Sequence, residues 1–399
     1  MIAVLLHVSD LLHVFWKATY GPFSCGTTQR LVVTNGIEVL AVPLNQLLLY
    51  YVFKVYLFLQ AVHTYRNRMY LTAFDLGYII FVTTSGTLSI VANSFLLYMI
   101  IRKSPTCLSP YRIFLGNTAL TQLLYSFVML MIEPRMLVNE LNIVVIYLGP
   151  AQFLGPWACY ILFITMLHYA VNSFVSIMLS MVFRCISVLT LGFPSSGAYI
   201  MCFIGYIVPM TMVLGALNMD VVSDPASNNA YINYSVANLE LYRTVVGTTV
   251  DQACNMYVIM CTSIFFIPMY IVMYFCRWKI YRVISRPTFV QNNSTKSNIQ
   301  KLVKALTFQA LIPLFTVFPA SLSYLLAQFG PLHFQLYSYF IVSSLSISAL
   351  VDPMVTIYYV SPYRRYARNR MGFPRSQSEF ATCSRPSVRK LSSNKYARN

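Results

Sequence analysis

Long uninterrupted stretches of apolar residues dominate the chain. Seven of them run for about 20 residues or more, the length that a helix needs to cross about 30 Å of hydrocarbon at 1.5 Å per residue. Each is one continuous apolar run, whereas the strands of a membrane barrel are short and alternate between apolar and polar positions. The pattern predicts an all-α membrane protein, a seven-transmembrane helix bundle with spans near residues 76–101, 113–132, 159–183, 198–217, 254–276, 305–327 and 335–360.

The chain extends beyond this predicted seven-helix body, residues 76–360, at both ends. Residues 39–60 are apolar enough for a further helix, but they include Lys54 and are followed by Arg66 and Arg68. Segment 1–75 is an extra membrane span, a removed leader or an error in the predicted chain, and these alternatives stay open. Residues 361–399 form a basic, serine-rich tail whose first ten residues have the spacing of an amphipathic helix.

The composition fits a lipid environment. Hydrophobic residues make up 57% of the chain and charged residues only 10%, whereas a soluble domain carries about 25% charged residues. A net charge of +17 would indicate a nucleic-acid partner in a soluble protein, but 21 of the 28 cations fall on one side of the predicted spans. Lys and Arg accumulate in cytoplasmic loops. The first span therefore enters from outside, the tail is cytoplasmic, and no nucleic-acid partner is expected.

The loop between spans four and five supports this orientation. It is acidic and contains the sequon Asn233-Tyr234-Ser235, so we predict that Asn233 is glycosylated on the outer side. The nine cysteines are scattered without the spacing of metal ligands, so no metal site is expected.

Ionisable side chains are scarce inside the predicted spans. His168 in span three and Asp352 in span seven are the two that the sequence contains there, whereas a transporter usually lines its path with several. Span seven has no lysine for a retinal cofactor, and the paired aspartates or His-Glu-x-x-His motif of an intramembrane protease are missing. The sequence predicts a bundle without enzymatic activity or cofactor that binds a ligand and changes shape.

One face of span three is polar. Thr165, His168, Asn172 and Ser176 follow one another at spacings of 3, 4 and 4, so they share a helical face. His168 lies about 13 Å inward from the outer end of the span, the depth of a small-molecule pocket. We interpret His168, Asn172 and Thr165 as ligand contacts. The alternative is that these groups only hydrogen-bond to neighbouring helices.

Short motifs at the ends of the spans point to a family. They are Lys103-Ser104-Pro105, Ser109-Pro110-Tyr111-Arg112-Ile113, Leu115-Gly116-Asn117-Thr118-Ala119-Leu120, Leu148-Gly149-Pro150, Phe183-Arg184, Asp352-Pro353 and Pro362-Tyr363-Arg364. In their order and spacing, they resemble the nematode serpentine chemoreceptors of class delta over about residues 75–365.

The resemblance implies an odorant-type receptor that binds a small chemical cue and activates a heterotrimeric G protein. It implies a multi-pass protein of the plasma membrane, in the cilium of a sensory neuron. The alternative is a seven-helix ligand-gated channel subunit or a transporter. The insect-type channel would have its amino terminus inside, which would put the 21 cations on the outer side.

The resemblance also implies a signalling switch. Arg184 matches the arginine that ends span three in G-protein-coupled receptors, although Phe183 replaces the usual acidic neighbour; the alternative for Arg184 is a plain cytoplasmic anchor. Asp352 and Pro353 resemble the Asn-Pro pair of span seven, and Asn93 resembles the polar residue of span one. The alternative for Asp352 is a protonated side chain that a helix neighbour satisfies.

A disulfide is implied in the same way. Cys159 stands at the outer end of span three, the usual position for a bridge to the second outer loop, and Cys254 is its candidate partner. The alternative is two buried thiols.

Overall fold

The computed structural model describes residues 71–104, 111–139, 142–189, 195–218, 239–285, 293–330 and 336–370. Seven helices in these ranges are long and apolar enough to cross a membrane, which confirms the predicted bundle. They are α1 (Ala73–Arg102), α2 (Tyr111–Ile132), α3 (Pro156–Leu189), α4 (Ser195–Ala216), α5 (Ala253–Ile259, a π-helical turn Met260–Ile264, then Phe266–Ile284), α6 (Asn293–Phe329) and α7 (Tyr337–Tyr359). The predicted apolar stretch 39–60, Asn233 and residues 371–399 lie outside the described ranges.

The first helix begins at a capping box. The Thr72 hydroxyl accepts a hydrogen bond from the backbone N–H of Asp75 at 3.2 Å, and the Asp75 carboxylate accepts one from the backbone N–H of Thr72 at 3.0 Å. Both N–H groups would otherwise lack a partner at the start of a helix. This cap fixes the outer end of α1. Here and below, the outer end of the bundle is the one that the distribution of cations assigns to the outside of the membrane.

A three-stranded antiparallel sheet covers the outer end of the bundle, and the sequence-based prediction did not include it. The outer sheet consists of β1 (Pro134–Asn139), β2 (Asn142–Tyr147) and β3 (Val245–Thr249), in the order β1-β2-β3. Its central strand pairs Val144 with Leu137 on one side and with Gly247 on the other. The strands are rich in β-branched residues, which suit a pleated, buried surface.

Gly149 ties the outer sheet to the end of α2. Its backbone N–H donates to the carbonyl oxygen of Ile132 at 3.1 Å. A Cβ atom at this position would lie 2.6 Å from the carbonyl oxygen of Met131, so the close approach of the two backbones requires a glycine. The Leu148-Gly149-Pro150 motif is therefore a packing motif.

A further helix, α8 (Ser361–Arg370), follows α7 as the spacing in the tail predicted. Its apolar side packs on the inner end of α1: the hydroxyl of Tyr363 lies 3.2 Å from the hydroxyl of Ser104. The ring of Tyr366 lies 6.5 Å from that of Phe95 and 6.4 Å from that of Tyr98, measured between centroids. The short helix thus closes the inner end of the α1–α7 pair.

Candidate functional site

A cavity of about 140 Å³ lies directly beneath the outer sheet. Helices α2, α3, α5, α6 and α7 form its walls, and side chains such as Met136, Val145 and Thr248 form its roof. The described residues that line this central cavity are mainly apolar, and none of them is charged. An apolar cavity of similar size in another protein stays dry and binds benzene. The central cavity therefore suits a small, uncharged molecule.

Three buried polar groups on the cavity wall have no hydrogen-bond partner. They are the hydroxyls of Tyr125 on α2 and Tyr324 on α6, and the side-chain oxygen of Gln122 on α2. The three side chains are only 4%, 7% and 5% exposed, respectively. A buried polar group without a partner costs about 1–3 kcal/mol. The sequence did not point to these residues, because they belong neither to the charged side chains of the spans nor to the polar face of span three.

The three residues of span three that we predicted as ligand contacts, His168, Asn172 and Thr165, do not line the central cavity. The ring of His168 packs 6.3 Å from that of Tyr206 on α4, and a ring N–H donates to the carbonyl of Pro209. Asn172 donates to the hydroxyl of Thr121 on α2 at 3.1 Å, and the hydroxyl of Thr165 donates to a carbonyl of its own helix at 2.8 Å. These contacts agree with the alternative of hydrogen bonding within and between helices, while the Nδ1 atom of His168 has no partner. A different face of α3, including Phe163, Met166, Ala170, Ser173 and Phe174, lines the cavity.

Gln122 connects the cavity wall to the polar residue of α7. Its side-chain amide donates to the carboxylate of Asp352 at 2.5 Å and to the hydroxyl of Ser173 at 3.1 Å. One helical turn further inward, Gln309 on α6 donates to the hydroxyl of Thr356 on α7 at 2.6 Å. Asp352 is buried and lies next to the helix-breaking Pro353. The side chain of Gln122 therefore connects the wall of the central cavity to the kink of α7.

Pro353 leaves one backbone acceptor of α7 without its helical donor, and α1 supplies two donors instead. Because proline has no N–H, the carbonyl of Ala349, four residues earlier, lacks its intrahelical partner. Asn93 donates to that oxygen at 3.2 Å and the hydroxyl of Ser89 at 2.9 Å. Asn93 is completely buried. The structure therefore brings together three of the four predicted switch residues, Asn93, Asp352 and Pro353, at one level of the bundle.

The fourth predicted switch residue, Arg184, lies at the inner end of α3. Its guanidinium carbon stands 4.0 Å from the centroid of the Tyr111 ring, at the start of α2. A cation over an aromatic face is attracted by about 0.5–2 kcal/mol. Tyr111 is 2% exposed, so the contact is partly shielded from water. An aromatic ring therefore contacts Arg184 in this chain, in which Phe183 replaces the acidic neighbour that is usual in G-protein-coupled receptors.

A buried ion pair joins the outer ends of α1 and β1. Arg135 donates to Asp75 at 3.1 Å, and the two side chains are 2% and 0% exposed. The hydroxyls of Tyr242 and Tyr339 donate to the same carboxylate at 2.7 and 2.8 Å. The Arg135 guanidinium also lies 4.3 Å from the centroid of the Tyr339 ring, so the pair binds four chain segments together. The sequence alone does not distinguish Arg135 from an ordinary loop cation.

Glu133 is a second buried carboxyl at this end, between α2 and β1. Its backbone adopts φ = 39°, in the left-handed region, and its side chain is 0% exposed. Burial raises the pKa of the Glu133 carboxyl to about 8, and the hydroxyl of Thr83, which donates to it at 2.7 Å, lowers it by less. Glu133 is therefore mostly protonated at neutral pH.

The predicted disulfide between Cys159 and Cys254 is not present in the described structure. Both residues are free cysteines. The thiol of Cys159 donates to the carbonyl of Ala151 at 3.1 Å, below the outer sheet, whereas the Cys254 sulfur faces Gly215 on α4. The ion pair of Arg135 with Asp75 and the backbone pairing of the sheet hold the outer segments instead.

Comparisons with known proteins match this architecture. The family profile of the serpentine type 7TM GPCR chemoreceptor Srd matches residues 78–369. Serpentine receptor class delta-32 of Caenorhabditis elegans is 50% identical over 298 residues, 75% of this chain and 88% of that protein. Serpentine receptor class delta-33 of the same organism is 39% identical over 303 residues, 76% of this chain and 89% of that protein. The crystal structure of squid rhodopsin superposes with a TM-score of 0.53 at 16% identity, covering 76% of this chain and 87% of that one, a likeness in fold alone.

Proposed function

The chain belongs to the Srd family of serpentine seven-transmembrane chemoreceptors, and from this premise we propose that it binds a small chemical cue in the central cavity and activates a heterotrimeric G protein at its inner end. The chain is a multi-pass membrane protein with seven apolar helices. The proposed location is the plasma membrane of a sensory neuron, in its cilium, because the family is chemosensory.

One observation carries the proposal: Gln122 both lines the central cavity and donates to Asp352 on α7. A ligand that shifts the Gln122 side chain changes the hydrogen bond that this side chain donates to Asp352. Because Asp352 adjoins Pro353, a change in this hydrogen bond acts at the point where α7 has lost its regular backbone ladder. The ligand thus has different interactions with two packings of the bundle, which is the requirement for shifting an equilibrium between them.

The inner end supplies the proposed contact with the G protein. Arg184 lies near the inner end of α3. The loop that joins α5 and α6, together with its flanks, carries seven cations between residues 277 and 304. In α6 itself, Pro313 and Pro319 interrupt the backbone ladder. We propose that α6 and α7 move at these kinks when ligand binds, which frees Arg184 from the ring of Tyr111 for the G protein.

Nucleotide exchange on purified Gα subunits tests this function. Membranes that contain the full chain are exposed to a panel of uncharged compounds with at most eight non-hydrogen atoms, and binding of a non-hydrolysable GTP analogue is measured. We expect at least one compound to accelerate exchange, and Arg184→Ala to abolish the acceleration at normal surface level. Arg243→Ala on the outer side is the matched control and keeps it. Full acceleration in the Arg184→Ala variant would remove Arg184 from the mechanism.

A further inference from the structure

An exposed aromatic groove runs along the inner half of α5, outside the central cavity. Its lining residues are Tyr270, Ile271, Tyr274, Phe275 and Trp278, and none of them lines the cavity. The side chains of Tyr274, Phe275 and Trp278 are 72%, 53% and 46% exposed. Spacings of three and four residues put them on one side of the helix. In a membrane, this side of α5 is turned towards lipid.

The length of α5 places the groove at the inner surface of the membrane. The span Ala253–Val283 has 31 residues, which is about 46 Å at 1.5 Å per residue. The hydrocarbon core is about 30 Å thick, and the bilayer with its headgroups about 40–45 Å. The residues from Trp278 to Val283 therefore lie at the level of the headgroups, where tryptophan and tyrosine rings are common. The rest of the groove lies beside the acyl chains.

Two cations stand at the headgroup end of the groove. The ammonium nitrogen of Lys279 lies 5.3 Å from the centroid of the Phe275 ring and 5.5 Å from that of Trp278. The guanidinium carbon of Arg282 lies 5.1 Å from the centroid of the Trp278 ring. The sequence has no Asp or Glu between residues 252 and 351, so α5 and α6 contain no carboxylate that could neutralise these charges. The groove therefore combines an apolar floor with two uncompensated positive charges at the level of lipid phosphates.

We propose that this groove binds one anionic glycerophospholipid of the cytoplasmic leaflet. An acyl chain packs on Ile271, Tyr274 and Phe275, and the phosphate oxygens accept hydrogen bonds from Lys279 and Arg282. Charge complementarity favours this occupant, because each basic residue near an anionic lipid surface strengthens binding about fivefold. The proposal goes beyond ligand binding and coupling, since it assigns two of the seven cations between residues 277 and 304 to lipid.

Two other occupants match the charges less well. The choline group of phosphatidylcholine would bring a positive charge to aromatic rings whose faces already carry Lys279 and Arg282, and like charges repel. A second copy of the chain, docked symmetrically through the same face, would bring four cations together in one layer without a carboxylate on α5. An anionic lipid is the occupant that compensates both cations.

Quenching of Trp278 fluorescence by brominated lipids tests the proposal without any ligand or G protein. The chain has three tryptophans, so Trp16→Phe combined with Trp157→Phe leaves Trp278 as the single reporter in the full chain. This reporter chain is reconstituted in phosphatidylcholine with rising amounts of phosphatidylserine, and the acyl chains of one lipid at a time carry bromine, which quenches a neighbouring ring. We expect a binding constant for phosphatidylserine about tenfold above that for phosphatidylcholine. Native mass spectrometry of the unaltered chain, which should retain phosphatidylserine in preference to phosphatidylcholine, gives the same comparison without substitutions.

Variants locate the headgroup contact. Lys279→Gln with Arg282→Gln should bring the two binding constants to the same value, whereas Lys279→Arg with Arg282→Lys keeps both charges and the preference. The ratio of quenching by the two lipids is compared, so that changes in the brightness of the reporter cancel. Arg102→Gln with Lys103→Gln is the matched control, because it removes two exposed cations at the inner end of α1, which packs against α2 and α7. This control should keep the preference.

Three results would overturn the proposal. Equal quenching by the two brominated lipids in the reporter chain, with equal retention by the unaltered chain, would show that the groove does not distinguish headgroups. A preference that survives in Lys279→Gln with Arg282→Gln would place the headgroup elsewhere. Quenching by neither lipid would show that protein covers the groove, as in a pair of receptors.

Discussion

Asn93 on α1 donates a hydrogen bond at 3.2 Å to the carbonyl oxygen of Ala349 on α7, the oxygen that Pro353 deprives of its helical donor. Ser89 donates to the same oxygen at 2.9 Å. The kink of α7 is therefore held from the side by α1. A carbonyl freed by proline inside a membrane needs such a replacement donor, because hydrocarbon offers none.

Removing both donors should cost more than the sum of the single losses. Asn93→Leu and Ser89→Ala each leave one donor on the Ala349 carbonyl, so each should lower the free energy of unfolding by about 1 kcal/mol. The double variant leaves the carbonyl unsatisfied, and we expect an additional loss of about 1 kcal/mol. Unfolding curves of the four proteins in detergent measure this coupling. Strict additivity would show that the two residues do not share this acceptor.

Replacing Gln122 should separate binding from signalling. In Gln122→Leu the cavity keeps its apolar wall and its two tyrosine hydroxyls, but Asp352 loses its donor on α2. An active compound should therefore still bind and no longer accelerate nucleotide exchange. Thr118→Ala is the control, since Thr118 on α2 lies outside the cavity lining and its hydroxyl contacts Ser176 on α3, not α7. A Gln122→Leu receptor with normal evoked exchange would exclude this route to α7.

The stacking of Arg184 on Tyr111 should restrain the resting state. Loss of a cation–π contact of about 0.5–2 kcal/mol shifts a two-state equilibrium roughly 2- to 30-fold. Tyr111→Leu should raise basal nucleotide exchange within that range, without ligand, whereas Tyr111→Phe keeps the aromatic face and stays at the basal level. Equal basal rates in the Leu and Phe variants would show that the ring does not restrain Arg184.

Glu133 should make stability depend on pH. Its pKa of about 8 in the folded protein exceeds the ordinary value of 4.5, so its protonated form stabilises the fold fully below about pH 4.5 and this contribution is lost as pH rises through 8. Between pH 6 and 8.5 we expect a loss of about 2–3 kcal/mol, seen as a falling thermal midpoint. Glu133→Gln keeps an acceptor for Thr83 and should flatten the profile.

The control for this profile is the exposed Asp251. Asp251→Asn should leave the slope between pH 6 and 8.5 as it is in the unaltered chain. A slope that survives in Glu133→Gln would assign the pH dependence to another group.

The seven helices of the bundle could be predicted because the length of each apolar stretch can be read directly from the sequence. Each predicted span overlaps one of the seven helices, and the structure shifts mainly the ends, as where α6 begins at Asn293 inside the predicted cytoplasmic loop. The outer sheet was missed although Asn142-Ile143-Val144-Val145-Ile146-Tyr147 has a β-branched composition. A six-residue apolar run is hard to tell from the apolar membrane spans on either side of it. Its pairing with β3, about 100 residues later in the chain, forms only when the helices have packed together.

The candidate site was not predictable from the polar face of span three, for a physical reason. In hydrocarbon, a polar side chain is stabilised by the nearest hydrogen-bond partner. Asn172 hydrogen-bonds to Thr121 on α2, and the hydroxyl of Ser176 lies 2.9 Å from that of Thr118. The polar face of α3 therefore contacts neighbouring helices. The cavity lies against the apolar face of the same helix, next to Ala170. The cavity forms between five helices and the outer sheet, so it is visible only in three dimensions.

The most direct test of the proposed ligand site is to fill the central cavity with a larger side chain on α3. Ala170→Phe puts a ring into the cavity, whereas Thr165→Phe puts the same ring on α3 outside the cavity lining. Nucleotide exchange evoked by an active compound is measured for both variants at matched surface level. We predict that Ala170→Phe loses the evoked response and that Thr165→Phe keeps it. A full response in Ala170→Phe together with a lost response in Thr165→Phe would contradict the central cavity and return the ligand to the His168 face.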